Sequence, residues 1–153
     1  MMSPRFSIQQ TTWAASQAEL QSIRQRVFID EQGVPESLEW DADDATALHF
    51  LAWQDAQAVG CARLLPDGQV GRMAVLPRWR GQGAGRALLD AVVAAARAQG
   101  HIELKLSAQT HAAGFYARAG WLVRGEVYEE AGIPHIAMWQ SLTVDGTPCE
   151  LLD

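Results

Sequence analysis

A chain of 153 residues with no linker rich in Pro, Gly or Ser can form one substantial hydrophobic core, so we predict a single domain over residues 1–153. Its net charge of −6 argues against general nucleic-acid binding, which needs a basic face to displace counterions from phosphates. The apolar runs are too short for a membrane span and the N-terminus does not resemble a signal peptide, so we expect a cytoplasmic protein. Cys61 and Cys149 suggest neither a disulfide framework nor a metal site, so we expect no bound metal.

The first part of the chain predicts a strand, a helix and an acidic loop. Residues 5–13 alternate weakly between apolar and polar side chains, which favours a strand. Ser16 and Glu19 have the spacing of a capping box, in which a Ser hydroxyl and a Glu carboxylate satisfy the first amides of a helix. Residues 30–44 hold seven acids together with Gly and Pro, so we expect a loop that contains one helical turn.

The rest of the chain predicts a meander, a crossover helix and a final hairpin. Short turns separate the strand-like runs over 46–53, 58–65 and 70–76, which favours antiparallel pairing. The order of elements, β-α-β-β-β-α-β-α-β-β, is that of an α/β fold with a mixed, mostly antiparallel sheet and one parallel crossover. The later elements are a helix over 83–99 ended by Gly100, a strand over 102–108, a helix over 111–119 capped by Thr110 and Gly120, and strands over 121–130 and 135–142.

The charges are distributed unevenly along the chain. No Lys or Arg occurs between Arg26 and Arg63, which brackets the acidic segment 30–44. One part of the protein therefore suits an anion, and another suits a cation or is simply a solvated acidic face. Five of the twelve basic residues lie close together in sequence, namely Arg72, Arg78, Arg80, Arg86 and Arg97.

A glycine-rich turn, RGQGAGR at residues 80–86, joins a predicted strand to a predicted helix. Glycine permits a tight bend and close approach to the backbone, and the amides at the start of a helix favour an anion such as a pyrophosphate. A P-loop is excluded because the first Lys of the chain is Lys105, and a dinucleotide fingerprint is excluded because it would need Gly at position 86 or 88. The alternative interpretation, that the turn packs tightly and binds nothing, is left open at this point.

The pattern Arg80-x-x-Gly83-x-Gly85 resembles the acyl-CoA motif of the GNAT family of N-acetyltransferases. Residues 107–121, SAQTHAAGFYARAGW, resemble the second motif of that family, with Gln109 in the place of the usual Asn. The positions that match the second motif are Ala112, Phe115, Tyr116, Gly120 and Trp121.

Three further segments narrow the resemblance. Residues 24–41, 49–53 and 127–138 are similar to the small bacterial acetyltransferases of the ElaA-like and YjcF-like kind. The resemblance implies the GNAT fold and the transfer of an acetyl group from acetyl-CoA to a primary amine of a small acceptor, by direct attack in a ternary complex. It also implies that the fourth and fifth strands splay apart and leave a wedge for the pantetheine arm.

The resemblance assigns residues to the donor site. The amides of residues 82–86 would hold the CoA diphosphate with Arg80 nearby, and a backbone N–H near Ala74 or Val75 would face the thioester carbonyl. The cofactor-binding residues implied in this way are Met73, Ala74, Val75, Arg80, Gly81, Gln82, Gly83, Ala84, Gly85, Arg86, Gln109 and Tyr116.

The proton transfers need an acid and a base. Tyr116 is the predicted acid, because a phenol with a pKa of about 10 is protonated at neutral pH and can donate to a departing thiolate. Glu31 is the predicted general base or amine-binding carboxylate, and His111 and His135 are alternatives. The acidic segment 30–44 indicates an acceptor that carries a positive charge.

Two other functions stay open. Arg24-x-x-Val27-Phe28 followed by Glu39-x-Asp41 also resembles the acyl-homoserine-lactone synthases, which share the fold and take acyl chains from a carrier protein. A non-catalytic CoA-sensing domain would keep the glycine-rich turn and would need no acid. Homodimers are common in the GNAT family, and the terminal strands could form one here.

Overall fold

Seven strands form one mixed sheet in the order β1-β2-β3-β4-β5-β7-β6. The computed structural model describes residues 5–142, so Cys149 lies outside the described residues. Every neighbouring pair is antiparallel except β4 and β5, which are parallel and are joined by the crossover helix, so the predicted fold class and order of elements are confirmed. The strands are β1 (Ser7–Thr11), β2 (Leu48–Gln54), β3 (Gln57–Leu64), β4 (Gln69–Val75), β5 (Glu103–Gln109), β6 (Leu122–Glu130) and β7 (Ile133–Ser141).

Four α-helices and several shorter turns connect the strands. The acidic segment begins with the last two residues of a π-helical turn and goes on through one α-helical turn and one 3-10 turn, so the prediction of a loop with a single helical turn is wrong. Buried ion pairs hold this segment in place, and they are described below. The helices are α1 (Trp13–Arg24), α2 (Glu36–Glu39), α3 (Ala84–Ala98) and α4 (Ala113–Arg118), the π-helical turn is Gln25–Glu31, and the 3-10 turns are Ala42–Ala45, Pro77–Trp79 and Thr110–Ala112.

Helix α1 begins earlier than the capping box predicts. The Thr12 hydroxyl is the N-cap and accepts a hydrogen bond from the Ala15 amide at 3.2 Å. Ser16 instead lies at a kink, with φ −132° and ψ 25°, and its hydroxyl is 2.7 Å from the hydroxyl of Thr11. The predicted cap at Thr110 is also wrong, because Thr110 begins a 3-10 turn and Ala112 precedes α4 without a side-chain cap.

Helix α3 contributes much of the core. Its buried face carries Leu88, Leu89 and Val92, and Gly100 follows the C-cap in a left-handed conformation (φ +87°), as predicted. A Cβ placed on Gly60 of β3 would lie 3.1 Å from the Leu88 side chain, which shows how closely α3 packs on the sheet. No helix within residues 5–142 is long and apolar enough to cross a membrane.

The parallel strands β4 and β5 pair only over the first two residues of β4. Gln69 pairs with Lys105 and Val70 pairs with Leu106, and no pairing follows. On its other side β4 is bulged against β3, and the non-glycine residue Arg72 has φ +48° at this irregularity. The two strands therefore separate toward their C-terminal ends and leave a wedge.

The sheet ends in two edge strands, β1 and β6. Strand β6 has nine residues and is exposed along its whole length. An edge strand offers unpaired backbone groups to a second chain, so the homodimer stays a prediction. The single domain over residues 1–153 also stays a prediction.

Candidate functional site

A cleft of about 880 Å³ opens at the wedge between β4 and β5. One wall is the segment from Val27 to Glu39, the floor is β4 along its whole length, and the opposite wall is the end of β5 with the β6–β7 turn. Residues 81–86 of the glycine-rich turn do not line the cleft and follow Arg80 at its rim. The predicted residues that line it are Glu31, Met73, Ala74, Val75, Arg80, Gln109, His111, Tyr116 and His135.

The glycine-rich turn presents its backbone without an internal cap. Gly81 has φ +74° and Gly83 has φ +99°, conformations that residues with a Cβ rarely adopt. Helix α3 begins at Ala84, and no side chain caps its first turn at Gly83. The first amides of a helix have no intrahelical acceptor, and a Cβ built on Gly81 or Gly83 would meet nothing within 4 Å. The turn therefore fits an anionic group such as a diphosphate.

The two family motifs are in contact through Gly85. A Cβ on Gly85 would lie 3.4 Å from the ring of Phe115 in α4, so the start of α3 packs directly on α4. Phe115 makes an edge contact with Tyr116, and Tyr116 makes another with Trp121. The second motif thereby fixes the position of the Tyr116 ring beside the wedge.

Within β4, Val75 is the residue whose backbone faces the wedge. Its carbonyl oxygen accepts a hydrogen bond from Arg80 Nε at 2.8 Å, outside the sheet. The N–H and C=O of one residue in an extended strand point to the same side, so the Val75 amide also faces the wedge. Ala74, in contrast, pairs with Cys61 of β3, so its backbone faces the sheet. Cys61 is buried, its Sγ donates to the Arg72 carbonyl at 3.3 Å, and burial raises the pKa of its thiol to about 12. Of the two predicted oxyanion donors, the geometry favours Val75.

Tyr116 points its hydroxyl group at β4. Tyr116 Oη donates to the thioether Sδ of Met73 at 3.7 Å, and a thioether is a weak acceptor. Burial raises the pKa of Tyr116 to about 12. The phenol therefore stays protonated throughout the neutral range and can exchange its weak partner for another acceptor.

Glu31 is paired with Arg80. Both terminal nitrogens of Arg80 donate to the Glu31 carboxylate at 2.7 Å, and the two side chains are 41% and 38% exposed. The hydrogen bond with Arg80 lowers the pKa of Glu31 below its usual range and raises the pKa of Arg80. A carboxylate with a lowered pKa is a weaker proton acceptor, which disfavours Glu31 as the general base while Arg80 holds it.

Gln109 is held by the residue that follows Glu31. Gln109 Nε2 donates to Gln32 Oε1 at 2.8 Å, and Gln32 Nε2 lies 3.4 Å from Gln109 Oε1. Gln109 is the last residue of β5, so this contact lies on the opposite side of the wedge from Arg80. The side-chain amide that replaces the usual Asn of the motif therefore contacts the wall formed by Val27 to Glu39.

The two histidines differ in their surroundings. His135 is buried, and its Nδ1 lies 2.6 Å from the carbonyl oxygen of Ile133. Its Nε2 lies 4.0 Å from the carboxylate of Glu130, and its ring stacks on Tyr128, whose hydroxyl bonds to Ser107. His111 lies at the rim of the cleft in the 3-10 turn before α4.

Sequence reasoning missed a buried ionic cluster beneath the cleft. Arg24 is 1% exposed and donates to the carboxylates of Glu39 at 2.7 Å and Asp44 at 2.8 Å, and to the Glu39 carbonyl at 2.9 Å. Its guanidinium also lies 5.4 Å from the ring of Trp13 and 5.1 Å from that of Trp40. The sequence indicated this cluster only through arginines that lie among apolar residues of predicted helices and strands.

Two more arginines complete this cluster. Arg63 Nη1 donates to Asp41 at 2.8 Å and to Asp44 at 3.0 Å. Arg72 donates to Asp41 at 3.1 Å, and its Nε lies 3.1 Å from Glu39. Three acids of the acidic segment thus neutralise three arginines, two of which are buried. Neither the cation-attracting nor the solvated interpretation anticipated this pairing.

The pKa values of the two most buried acids of the cluster are shifted in opposite directions. Burial alone would raise the pKa of Asp44, but hydrogen bonds from Arg24 and the charge of Arg63 bring it below its ordinary value. Burial raises the pKa of Glu39 in spite of its arginine partners. Within the part of the chain that the structure describes, no group of His, Cys, Asp or Glu residues could hold a metal ion.

Comparisons with known proteins agree with this geometry. A family model described as an acetyltransferase (GNAT) domain matches residues 9–142. Protein ElaA of Escherichia coli is 34% identical over 128 residues, which is 78% of this chain and 83% of ElaA. The uncharacterized N-acetyltransferase YjcF of Bacillus subtilis is 34% identical over 120 residues, which is 76% of this chain and 86% of YjcF.

Solved structures show the same similarity. The crystal structure of an acyl-CoA N-acyltransferase from Pseudomonas aeruginosa superimposes with a TM-score of 0.79 at 32% identity, covering 89% of this chain and 99% of that one. The crystal structure of Escherichia coli ElaA also gives a TM-score of 0.79, at 30% identity over 89% of this chain and 99% of ElaA. The chain therefore belongs to the GNAT family of acetyltransferases, and its relatives include ElaA and YjcF.

Proposed function

We propose that the protein transfers an acetyl group from acetyl-CoA to a primary amine of a small acceptor, by direct attack in a ternary complex. The observation that carries the proposal is the early end of pairing between β4 and β5, which leaves a wedge beside an uncapped helix N-terminus. A cleft that holds both reactants supplies much of the rate enhancement through proximity. Residues 82–86 would bind the diphosphate through their amides, with Arg80 beside them.

The backbone of β4 would polarise the thioester. In our proposal the Val75 amide donates to the carbonyl oxygen of the acetyl group, where negative charge develops during attack. Met73 and Ala74 line the floor of the cleft together with Val75. A fixed backbone donor suits this role, because it needs no reorganisation when the charge appears.

Tyr116 would stabilise the departing thiolate. The pKa of about 12 keeps the phenol protonated, and its present acceptor is only the thioether of Met73. The raised pKa also makes complete proton transfer to a thiolate less favourable. We therefore assign Tyr116 mainly the role of a hydrogen-bond donor to the leaving sulfur.

A positively charged acceptor needs an acid that the arginines leave unpaired. Glu130 lines the cleft at the β6–β7 turn, and its side chain is 55% exposed. We expect Glu130→Gln to raise the KM of a cationic amine roughly fivefold with little change in kcat, as an exposed charge pair allows. Glu129→Gln is the matched control, because neighbouring side chains of a strand point to opposite faces. Equal KM values for the two variants would contradict the proposal that Glu130 binds a positively charged acceptor.

The experiment that tests the function has two steps. Calorimetry first measures acetyl-CoA binding, and a panel of primary amines is then screened for release of free CoA thiol. Heat at saturating acetyl-CoA together with amine-dependent thiol release supports the proposal, whereas heat without turnover indicates a CoA-sensing domain. Turnover with an acyl carrier protein but not with acetyl-CoA would indicate a lactone-synthase-like donor instead.

A further inference from the structure

Two consecutive residues reach across the wedge to its two sides. Glu31 ends the π-helical turn and pairs with Arg80, which follows β4. Gln32 comes next and hydrogen-bonds to Gln109, which ends β5. The segment from Val27 to Glu39 is therefore attached to both sides of the wedge at its open end, through Arg80 and Gln109 of the two family motifs.

The contacts of Arg80 leave one edge of the guanidinium for an anion, and Glu31 occupies it. Arg80 Nε is anchored to the Val75 carbonyl at 2.8 Å, while Nη1 and Nη2 both donate to Glu31. Two parallel N–H donors of this kind are also the preferred arrangement for a phosphate group. The anchor to Val75 does not involve Glu31, so the position of Arg80 does not require the carboxylate.

We propose that Glu31 competes with the diphosphate of acetyl-CoA for Arg80, so that donor binding exchanges the carboxylate for a phosphate and releases Glu31 into the acceptor side of the cleft. The proposal rests on the proposed function, because it takes acetyl-CoA as the donor. Arg80 is paired with an anion both before and after the exchange, so its charge is never left unpaired. Glu31 becomes unpaired only when the donor is in place, which is when an acceptor amine has to bind.

If the exchange occurs, the Glu31–Arg80 ion pair lowers the affinity of the wild-type protein for acetyl-CoA, and this effect can be measured. Breaking a partly exposed ion pair costs little, so removing the Glu31 charge should tighten acetyl-CoA binding roughly twofold to fivefold. Gln at this position keeps the shape and a carbonyl acceptor but not the charge. If Glu31 instead only held Arg80 in place, the same change would leave acetyl-CoA affinity equal or weaker.

The test titrates two donors into three proteins. Acetyl-CoA and S-acetylpantetheine, which lacks the diphosphate, are each titrated into the wild type, Glu31→Gln and Asp30→Asn by calorimetry. Asp30 is the matched control, because its carboxylate accepts from Gln25 and not from an arginine. We expect Glu31→Gln alone to bind acetyl-CoA more tightly, and all three proteins to bind S-acetylpantetheine equally.

Equal or weaker acetyl-CoA binding by Glu31→Gln, in a protein that unfolds at the wild-type temperature, overturns the exchange. Tighter binding of both donors also overturns it, because the gain would not depend on the diphosphate. Absence of acetyl-CoA binding in the wild type is a distinct result. It removes the proposed function itself, and the exchange with it.

Discussion

Replacing Asp44 by Asn tests the buried ionic cluster most directly. Asp44 is 2% exposed and accepts hydrogen bonds from two buried arginines, Arg24 and Arg63. Removing one partner of a buried ion pair costs roughly 3–5 kcal/mol, because the remaining charge is left without compensation. Asn keeps one acceptor oxygen, so we expect a loss of about 3 kcal/mol. For a chain of this size that corresponds to a melting temperature lowered by roughly 6–12 °C.

Urea unfolding at pH 7 measures this loss of stability, and two other variants serve as comparisons. Asp43→Asn changes the neighbouring acid, which is exposed, and should alter the free energy of unfolding by less than about 0.5 kcal/mol. Glu39→Gln should cost less than Asp44→Asn, because burial raises the pKa of Glu39 and the folded state already disfavours its charge. A loss below about 1 kcal/mol for Asp44→Asn would refute the assignment of this cluster as a structural anchor.

The pH dependence of the Asp44 contribution has a defined sign. The pKa of Asp44 is lower in the folded state than its ordinary value of about 3.9, so the stability it supplies is fully present above that value. The contribution is lost as the pH falls through the folded pKa. The difference between wild type and Asp44→Asn should therefore be constant between pH 7 and about pH 5 and shrink below about pH 4. A difference that grew on acidification would contradict the sign.

Two further predictions concern the donor site. Tyr116→Phe should lower kcat about 100-fold in steady-state kinetics, while the Kd of acetyl-CoA changes less than twofold. An unchanged kcat would remove Tyr116 from the mechanism. Gly83→Ala and Gly100→Ala both place a Cβ on a left-handed residue at an end of α3, so each should destabilise the fold by about 1 kcal/mol. Only Gly83→Ala should also weaken acetyl-CoA binding, by about tenfold in calorimetry, and equal weakening by both would show that the effect is general strain.

The parts of the fold that depend on local sequence could be predicted. The order of elements along the chain, the crossover helix and the C′ glycine at Gly100 follow from apolar periodicity and turn residues, which act over a few positions. The start of α1 could not, because Thr12 and Ser16 both have hydroxyl groups that can cap a helix. A contact between Ser16 and Thr11, with both residues buried, decided between them.

The site shows the same division between local and distant contacts. The glycine-rich turn and its helix are contiguous in sequence, so their geometry could be expected. The partner of Glu31 could not be predicted, because Arg80 is 49 positions away and the local sequence around Glu31 does not indicate a distant partner. The buried cluster was missed for the same reason, since charge runs usually face water and only the fold brings Arg24 and Asp44 together.

The ionic cluster links the acidic segment to the geometry of the wedge. Arg72 adopts φ +48° at the bulge of β4, a conformation that costs a β-strand residue free energy, and the surrounding contacts must therefore hold it. Its guanidinium is fixed by the Glu39 carbonyl at 3.1 Å and by the Asp41 carboxylate at 3.1 Å. The last residue of β4 that pairs with β5 is Val70, two positions before Arg72. Glu39 and Asp41 therefore hold β4 close to the point where it diverges from β5, and their charges are compensated by the arginines of the cluster.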